Sequence, residues 1–311
     1  MGEASPVEYH QLAHTNGRTR AVVEVVLAVA LWYVLLEILL SGDMGSGDNT
    51  AAELILMGVV IGAMVPAAWL AARIVGRNPR QLSSVANRLR WPLLRKLLLI
   101  AVLLYVLELA LKVGLAVALY GGEATFSEAS WAGFATFVPL ALTILVTVPL
   151  QVAGEEYFFR GTLLQAIGAF TPNARVAIVS TAVLFTLLHG ADLAATIAIG
   201  IFGLAAAWLT IRTGGLEAAL AYHVVGNVFG FLATAAIGDV GELLETMNDD
   251  TSWITFVFDV AGTLTFTAIV VKLVSAQRAP AAADQVEQHA AERRLGVEHA
   301  DHGGNPEPLT P

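Results

Sequence analysis

Long apolar runs alternate with short polar connections along most of the chain. Each run is close to the roughly 17–20 residues that an α-helix needs to cross a bilayer. The runs cover residues 21–40, 54–75, 93–119, 131–153, 174–190, 193–211, 216–237 and 253–274. This pattern predicts an all-α protein, a polytopic membrane bundle of about eight transmembrane helices. A further segment, 157–170, is apolar but short, and counting it separately would give nine.

Composition agrees with this class. Hydrophobic residues make up 56% of the 311 residues and charged residues only 14%, and the mean hydropathy is +0.68, whereas soluble proteins average about 45–50% apolar and 25% charged. The chain has no cysteine, which excludes disulfides, a thiol nucleophile and thiolate metal ligands. No basic stripe indicates nucleic-acid binding.

The distribution of basic residues predicts the orientation. The connection between the second and third runs carries seven basic residues and no acid: Arg73, Arg77, Arg80, Arg88, Arg90, Arg95 and Lys96. The positive-inside rule places this connection in the cytoplasm. The connections on the opposite side carry only acids, and eight helices then leave both termini cytoplasmic. We therefore expect a multi-pass protein of the cell membrane.

The ends of the chain are polar. Residues 1–20 form an N-terminal cytoplasmic segment, and the following run of about 20 apolar residues is too long for a signal-peptide core, so we interpret it as a retained first helix. After Arg278 the composition predicts a disordered tail, 276–311. Histidines 289, 299 and 302 could be interpreted as a weak metal-binding cluster, but composition favours a solvated tail. Between the ends we expect three helices with the basic loop (21–130), core helices 4–7 (131–240) and a final helix (241–275).

Two adjacent carboxylates, Glu155 and Glu156, lie in a region that otherwise appears lipid-soluble. Ionisable groups at membrane depth are costly and are functional-site candidates by default. On a helix, Glu156 and Arg160 are spaced i, i+4 and can form an ion pair. Glu155 is turned about 100° away. We expect Glu156 to be structural and Glu155 to stay unpaired and free for chemistry.

Two histidines and an asparagine fall at the same predicted depth as Glu155. The turn at Pro172 lies 17 residues after Glu155 and 17 residues before His189. In a helical hairpin both would lie roughly 25 Å from the tip. The seventh helix places His223 and Asn227, spaced i, i+4, in the same layer. Their side chains are therefore expected to converge.

Less specific interpretations exist for each group taken alone. An intramembrane histidine or asparagine can serve only as an interhelical hydrogen-bonding group, and a carboxylate can act as a proton relay in a transporter. Phe185, four residues before His189, would pack beneath the imidazole and orient it. A non-enzymatic scaffold or transporter-like protein thus remains an alternative to an enzyme.

The three motifs Glu155-Glu156-x-x-x-Arg160, Phe185-x-x-x-His189 and His223-x-x-x-Asn227 resemble those of the CAAX-protease and bacteriocin-processing family. These intramembrane endopeptidases include the type II CAAX prenyl endopeptidase and the Abi proteins. The resemblance covers roughly residues 130–240. It implies a catalytic core there in which Glu155 and His189 activate water, and His223 and Asn227 hold the oxyanion.

The residue types suit amide hydrolysis, which needs an activated water and oxyanion stabilisation. Zinc is a competing possibility, because the family has often been called a metalloprotease and Glu155, His189 and His223 resemble a His₂Glu ligand set. The His-Glu-x-x-His helix is absent, and we favour a mechanism without a cofactor. The resemblance implies a membrane-associated protein or peptide substrate in contact with membrane lipid. Prenylated proteins are one of the family's substrate classes, but nothing outside the motifs selects one.

Overall fold

The computed structural model describes residues 8–41, 50–122, 131–190, 192–237 and 252–275, and these ranges are helical apart from short connections. In the described ranges the only β-type pairing is an isolated bridge between Ser84 and Gly215. The helices are α1 (Arg18–Leu40), α2 (Thr50–Gly62), α3 (Met64–Ile74), α4 (Trp91–Tyr120), α5 (Phe134–Glu156), α6 (Leu164–Gly168), α7 (Ala174–Leu187), α8 (Leu193–Thr213), α9 (Glu217–Ile237) and α10 (Trp253–Ser275).

Seven helical stretches are long and apolar enough to cross a membrane, with α2 and α3 counted together as Thr50–Ile74. The all-α, polytopic prediction is confirmed, and the chain is a multi-pass membrane protein. The predicted fifth span, 174–190, differs. Its helix α7 has 14 residues, beginning where the Asn173 side chain accepts a hydrogen bond from the Arg175 amide (3.0 Å) and ending before Gly190, whose φ is +59°. It is shorter than a usual span.

The short apolar segment after Glu156 continues the fourth spanning helix. A π-helical segment, Tyr157–Leu163, joins α5 directly to α6, which gives one continuous stretch of 35 residues, Phe134–Gly168. A count of nine spans is therefore wrong. Short π-helical insertions widen a helix locally and often occur at functional sites.

Close helix packing surrounds this stretch. α5 packs against α2 and α9, while α9 also packs against α4, and α7 against α8. A Cβ atom on Gly58 would lie 2.6 Å from the Cβ of Thr147, and one on Gly154 would overlap the carbonyl oxygen of Ile61. Glycines at both positions let α2 and α5 approach backbone to backbone.

The N-terminal residues are also packed. Tyr9 and His10 are buried. The Tyr9 hydroxyl donates to the carbonyl of Leu82 at 2.5 Å, and His10 Nε2 lies 3.3 Å from the Pro172 carbonyl. Burial raises the pKa of the Tyr9 phenol, so it remains a donor. The predicted N-terminal segment therefore folds onto the end of the helical hairpin, from residue 8 onward.

Four of the seven basic residues lie in the connection between α3 and α4, and two of these four form buried or partly buried ion pairs. Arg77 Nη2 lies 2.6 Å from Glu24 Oε1, and Arg77 Nη1 donates to Gln165 Oε1 at 2.5 Å. Arg90 Nη2 lies 2.6 Å from Glu217 Oε2. These arginines join the connection to α1, α6 and α9, and the orientation of the chain stays a prediction.

The structure divides into two units, Met1–Thr267 and Ala268–Pro311. The packing and the site described here lie in the first unit. Of the second, the structure describes residues 268–275, which are helical. The predicted disordered tail and the acidic connections near residues 43–48, 123–128 and 239–250 lie outside the described residues.

Candidate active site

Three pieces of backbone carry the predicted site residues. Glu155 and Glu156 end α5, and Arg160 lies in the π-helical segment that follows. His189 lies just beyond α7. α9 carries His223 and Asn227 on one face.

Glu156 is the centre of a buried polar cluster. Its Oε1 accepts hydrogen bonds from Arg160 Nη1 at 2.9 Å and from the ring nitrogen Nδ1 of His223 at 2.7 Å. Glu156 and Arg160 are completely buried, and His223 is nearly so. The predicted Glu156–Arg160 ion pair is present. The contact from His223 adds a second partner that the i, i+4 spacing did not predict.

The Arg160 guanidinium is enclosed by aromatic rings. Its Cζ lies 4.2 Å from the ring centre of Phe185 and 5.5 Å from that of Phe202. A cation over an aromatic face is stabilised by the quadrupole of the ring. These contacts, together with the carboxylate of Glu156, compensate in part for the loss of solvation around a fully buried arginine.

Glu155 is mostly buried and has two different oxygen atoms. Oε1 accepts a hydrogen bond from Gln151 Nε2 at 3.1 Å. Among the described residues Oε2 has no hydrogen-bond partner, and it lies 3.6 Å from His223 Nε2. The prediction that Glu155 is unpaired is therefore wrong for one oxygen. Gln151 lies one turn earlier on the same regular helix, so its amide reaches the carboxylate.

His189 is half-buried and fixed from one side. Its Nδ1 lies 2.7 Å from the Phe185 carbonyl, and because a carbonyl only accepts, Nδ1 carries the hydrogen. The imidazole packs on the Phe185 ring with a centre-to-centre distance of 4.4 Å, as the spacing predicted. Nε2 is left as the nitrogen available to a reactant.

Phe185 connects the two histidines. Its ring centre lies 6.0 Å from that of His223, and the Phe202 ring centre lies 4.8 Å from the same imidazole. Asn227, one turn beyond His223, is half-buried. The structure thus brings Glu155, Glu156, Arg160 and His223 into one cluster and places His189 against the same phenylalanine.

Two contributing residues were missed from the sequence. Gln151 carries a usable signal, because it is an amide in an apolar helix spaced i, i+4 with Glu155. Phe202 carries none, because one more aromatic residue in an apolar helix is not distinctive. It contacts both His223 and Arg160.

The proposed zinc ligands do not form a ligand set as the side chains stand. Among the described residues, no three His, Asp or Glu side chains converge closely enough to hold a metal ion. Glu155 and His223 are neighbours through Nε2 of the imidazole, whose Nδ1 bonds to Glu156, but a third ligand from the described part of the chain does not converge on them. We derive no metal-dependent step.

The described part of the chain is a helical bundle with seven candidate spans, a buried Glu–Arg–His cluster and a second histidine that packs on Phe185. These features define a class of protein: a polytopic membrane protein with a candidate hydrolytic site. Residues 135–229 match the family model described as type II CAAX prenyl endopeptidase Rce1-like. All seven residues of the three motifs lie inside the matched segment. The resemblance predicted from the motifs is confirmed, and at the family level it indicates a CAAX-type intramembrane protease.

A curated relative matches over a longer stretch. The uncharacterized protein YyaK of Bacillus subtilis (strain 168) is 26% identical over 234 residues, which cover 71% of this chain and 76% of that protein. No solved structure gives a significant match. The similarity to YyaK therefore extends well beyond the 95-residue family segment, into helices outside it.

Proposed function

We propose that this protein is an intramembrane endopeptidase that hydrolyses a peptide bond of a membrane-associated or lipidated protein or peptide. The observation that carries the proposal is the state of Glu155. One of its oxygens is held by Gln151, and the other lies 3.6 Å from His223 Nε2 with no hydrogen-bond partner among the residues that the structure describes. A positioned carboxylate with a free oxygen is suited to take a proton from water.

Glu155 is the general base of the proposed reaction. Its Oε2 removes a proton from water as the water oxygen attacks the carbonyl carbon of the scissile bond. Gln151 holds Oε1 and so limits rotation of the carboxylate. A base that is already oriented avoids the cost of ordering it during the reaction.

His189 assists at Nε2. With its hydrogen on Nδ1, the neutral ring accepts a hydrogen bond from the attacking water at Nε2. When the tetrahedral intermediate breaks down, the proton taken from water is delivered to the leaving amine through these groups, so the protons balance and the C–N bond breaks.

His223 and Asn227 face the developing oxyanion in this proposal. Nδ1 of His223 donates to Glu156, so Nε2 is the edge directed to the reaction, and in this proposal it donates to the oxyanion as part of an imidazolium ring that carries both hydrogens. The half-buried amide of Asn227 lies one turn further along the same face. Each donor of this kind is worth about 3–4 kcal/mol in measured oxyanion holes. Glu156, Arg160 and Phe185 support the site and do not touch the substrate.

The proposal includes no cofactor, and the other partner is membrane lipid. We propose a cell-membrane location with both termini in the cytoplasm, as the basic connection after α3 indicates. A zinc-dependent protease and a non-enzymatic scaffold or transporter-like protein are the competing functions, and the tests below separate them.

The test compares protein termini in cells that carry either the natural chain or Glu155→Ala. New N- and C-termini of membrane-associated proteins should appear with the natural chain and be absent with Glu155→Ala at equal expression. Peptides spanning each new terminus should then be cleaved by the purified protein in lipid nanodiscs. An identical set of termini from both chains would contradict the protease assignment.

A further inference from the structure

A second set of charged side chains lies outside the matched segment. Lys112 on α4 has its Nζ 2.7 Å from Glu108 Oε1, one turn earlier, and 3.0 Å from Asp259 Oδ1 on α10. Glu108 is buried. All three lie within candidate spanning helices, where charged groups are costly and usually functional. The active-site proposal uses none of them.

This charged set continues into aromatic and hydroxyl groups that reach α9. The Tyr222 hydroxyl accepts a weak hydrogen bond from Thr263 on α10 (3.5 Å), and the Tyr222 ring lies 5.2 Å from that of Tyr105 on α4. A Cβ on Gly262 would lie 2.7 Å from Glu108 Oε2 and 2.8 Å from the Tyr222 hydroxyl. Glycine at 262 therefore lets the carboxylate and the phenol lie side by side against α10. We call Tyr105, Glu108, Lys112, Tyr222, Asp259 and Thr263 the polar brace.

The polar brace contacts one face of α9, and the site residues His223 and Asn227 lie on the neighbouring face. Tyr222 and Gly226 are spaced i, i+4 and share a face, and the Tyr105 hydroxyl lies so close to Gly226 that a Cβ there would overlap it. His223 follows Tyr222 and Asn227 follows Gly226, so each site residue is turned about 100° around the helix axis from its neighbour in contact with the polar brace. One face of α9 is therefore fixed by α4 and α10, and the next face is directed to Glu156.

Small rotations of α9 would matter at the site. A rotation of about 10° moves a side-chain atom that lies about 6 Å from the helix axis by about 1 Å. A displacement of that size in a catalytic group can lower a rate by about 10²-fold. The hydrogen bond from His223 to Glu156 restrains this rotation from one side, and the polar brace contacts the adjacent side.

We propose that the polar brace sets the rotational position of α9 and so places His223 and Asn227 for oxyanion binding. Its members are positioning residues of the proposed protease, and this inference rests on that proposed function. Five of its six members lie on α4 and α10, outside residues 135–229, and they act on that segment through the sixth, Tyr222, and through Gly226.

The mildest test removes single hydroxyl groups. Tyr222→Phe removes the hydroxyl that bonds to Thr263, and Tyr105→Phe removes the hydroxyl that lies against Gly226. Both variants keep the rings, and each should lower kcat by about 3–10-fold, the size of one weak polar contact, with KM nearly unchanged. Tyr120→Phe is the control, because Tyr120 lies on the same helix as Tyr105 and is exposed. Its kcat should equal that of the natural chain.

Charge substitutions provide a rescue. Lys112→Met leaves the carboxylates of Glu108 and Asp259 without their cation and should lower kcat. The triple variant Glu108→Gln/Lys112→Met/Asp259→Asn removes all three charges, so it should lower kcat less. Glu53→Gln, an exposed carboxylate-to-amide change on α2, is the matched control. A triple variant less active than Lys112→Met would contradict the proposal.

A readout independent of activity separates this inference from the proposed function. The ring ¹⁵N resonances of His223, assigned by their loss in His223→Gln, should shift in Tyr222→Phe and Lys112→Met and return towards their original positions in the triple variant. If the natural chain cleaves nothing, the protease proposal fails, yet these resonances still test the brace. Unchanged resonances together with a lowered melting temperature would show that the brace only fastens α10 to α4.

Discussion

His223 on α9 donates through Nδ1 to the same Glu156 oxygen that accepts from Arg160, at distances of 2.7 and 2.9 Å. Glu156 therefore joins α5, the π-helical segment and α9 in one buried contact. Its neighbour Glu155 accepts from an amide instead of a cation: its Oε1 is held by Gln151, and its Oε2, which has no hydrogen-bond partner among the described residues, lies 3.6 Å from His223 Nε2. Two adjacent acids thus have separable roles, which mutations can test.

We expect Glu156→Gln and Glu155→Gln to differ in kind. Glu156→Gln leaves the fully buried Arg160 without its counter-charge, which should destabilise the fold by about 3–5 kcal/mol. Glu155→Gln keeps an oxygen acceptor for Gln151, so the melting temperature should change little while turnover is abolished. Thermal unfolding in detergent and peptide hydrolysis measure the two effects. Equal losses of stability in the two variants would show that these roles are misassigned.

Asn227→Ala should lower kcat by about 10²–10³-fold, the usual cost of removing one oxyanion donor. The melting temperature should be nearly unchanged, because the Asn227 side chain makes no hydrogen bond to the described residues. Thr234→Ala is the control on the same helix, since Thr234 is half-buried like Asn227 and its hydroxyl bonds only to the Gly230 carbonyl among the described residues. Steady-state kinetics measure kcat for both variants. A kcat of Asn227→Ala equal to that of the natural chain would show that Asn227 does not stabilise the oxyanion.

The orientation can be tested with single cysteines, because the natural chain has none. Ala86 is exposed in the basic connection, and Ser41 is exposed at the opposite end of α1. Ser84 is unsuitable because it is buried. Ala86→Cys should react with a membrane-impermeant thiol reagent only after the cytoplasmic side is opened, and Ser41→Cys from outside intact cells. The reverse pattern would contradict the cytoplasmic orientation of the site.

The apolar runs predicted most helices well, because a spanning helix is defined by length and hydropathy, which a sequence shows directly. The prediction failed where local backbone geometry determines whether a helix ends or continues. Leu188 and His189 extend an apolar run, but the backbone leaves the helix at Leu187. The segment after Glu156 appeared to be a separate short element, whereas a π-helical insertion continues the helix through it.

The site was predictable where its contacts are local. Spacing alone indicated the Glu156–Arg160 pair and the packing of Phe185 on His189, since both contacts lie within one turn. The contact between Glu156 and His223 joins residues 67 positions apart, and it depends on how α5 and α9 cross. Hydropathy and counting from a turn fix the depth of a residue but not the rotation of its helix.

Gly154→Ala tests the close approach of α2 and α5 just before the paired glutamates. The added Cβ would overlap the Ile61 carbonyl, so we expect a loss of about 1–3 kcal/mol in unfolding free energy from overpacking. Gly114→Ala is the matched control, since Gly114 is helical and a Cβ there meets nothing within 4 Å. It should leave stability unchanged or slightly higher. A Gly154→Ala variant as stable as Gly114→Ala would mean that the two helices do not pack as described.

Metal content separates the two hydrolytic mechanisms. If Glu155 and His189 activate water directly, protein treated with a chelator strong enough to remove a structural zinc should keep its activity. Elemental analysis should then find well under one metal per chain. A zinc site made by Glu155, His189 and His223 would instead lose metal and activity together as the pH falls, because its ligands must be deprotonated.

Two variants make this test decisive. His189→Ala and His223→Ala should both lower activity, but in the metal-free mechanism neither changes the metal content. Asn227→Ala is the comparison, because an amide that stabilises the oxyanion should lower the rate in either mechanism and leave any metal in place. Stoichiometric zinc that disappears in both histidine variants, together with activity, would overturn the glutamate mechanism. Peptide-bond cleavage by the natural chain would still support a protease, with the metal in place of the carboxylate as the activator of water.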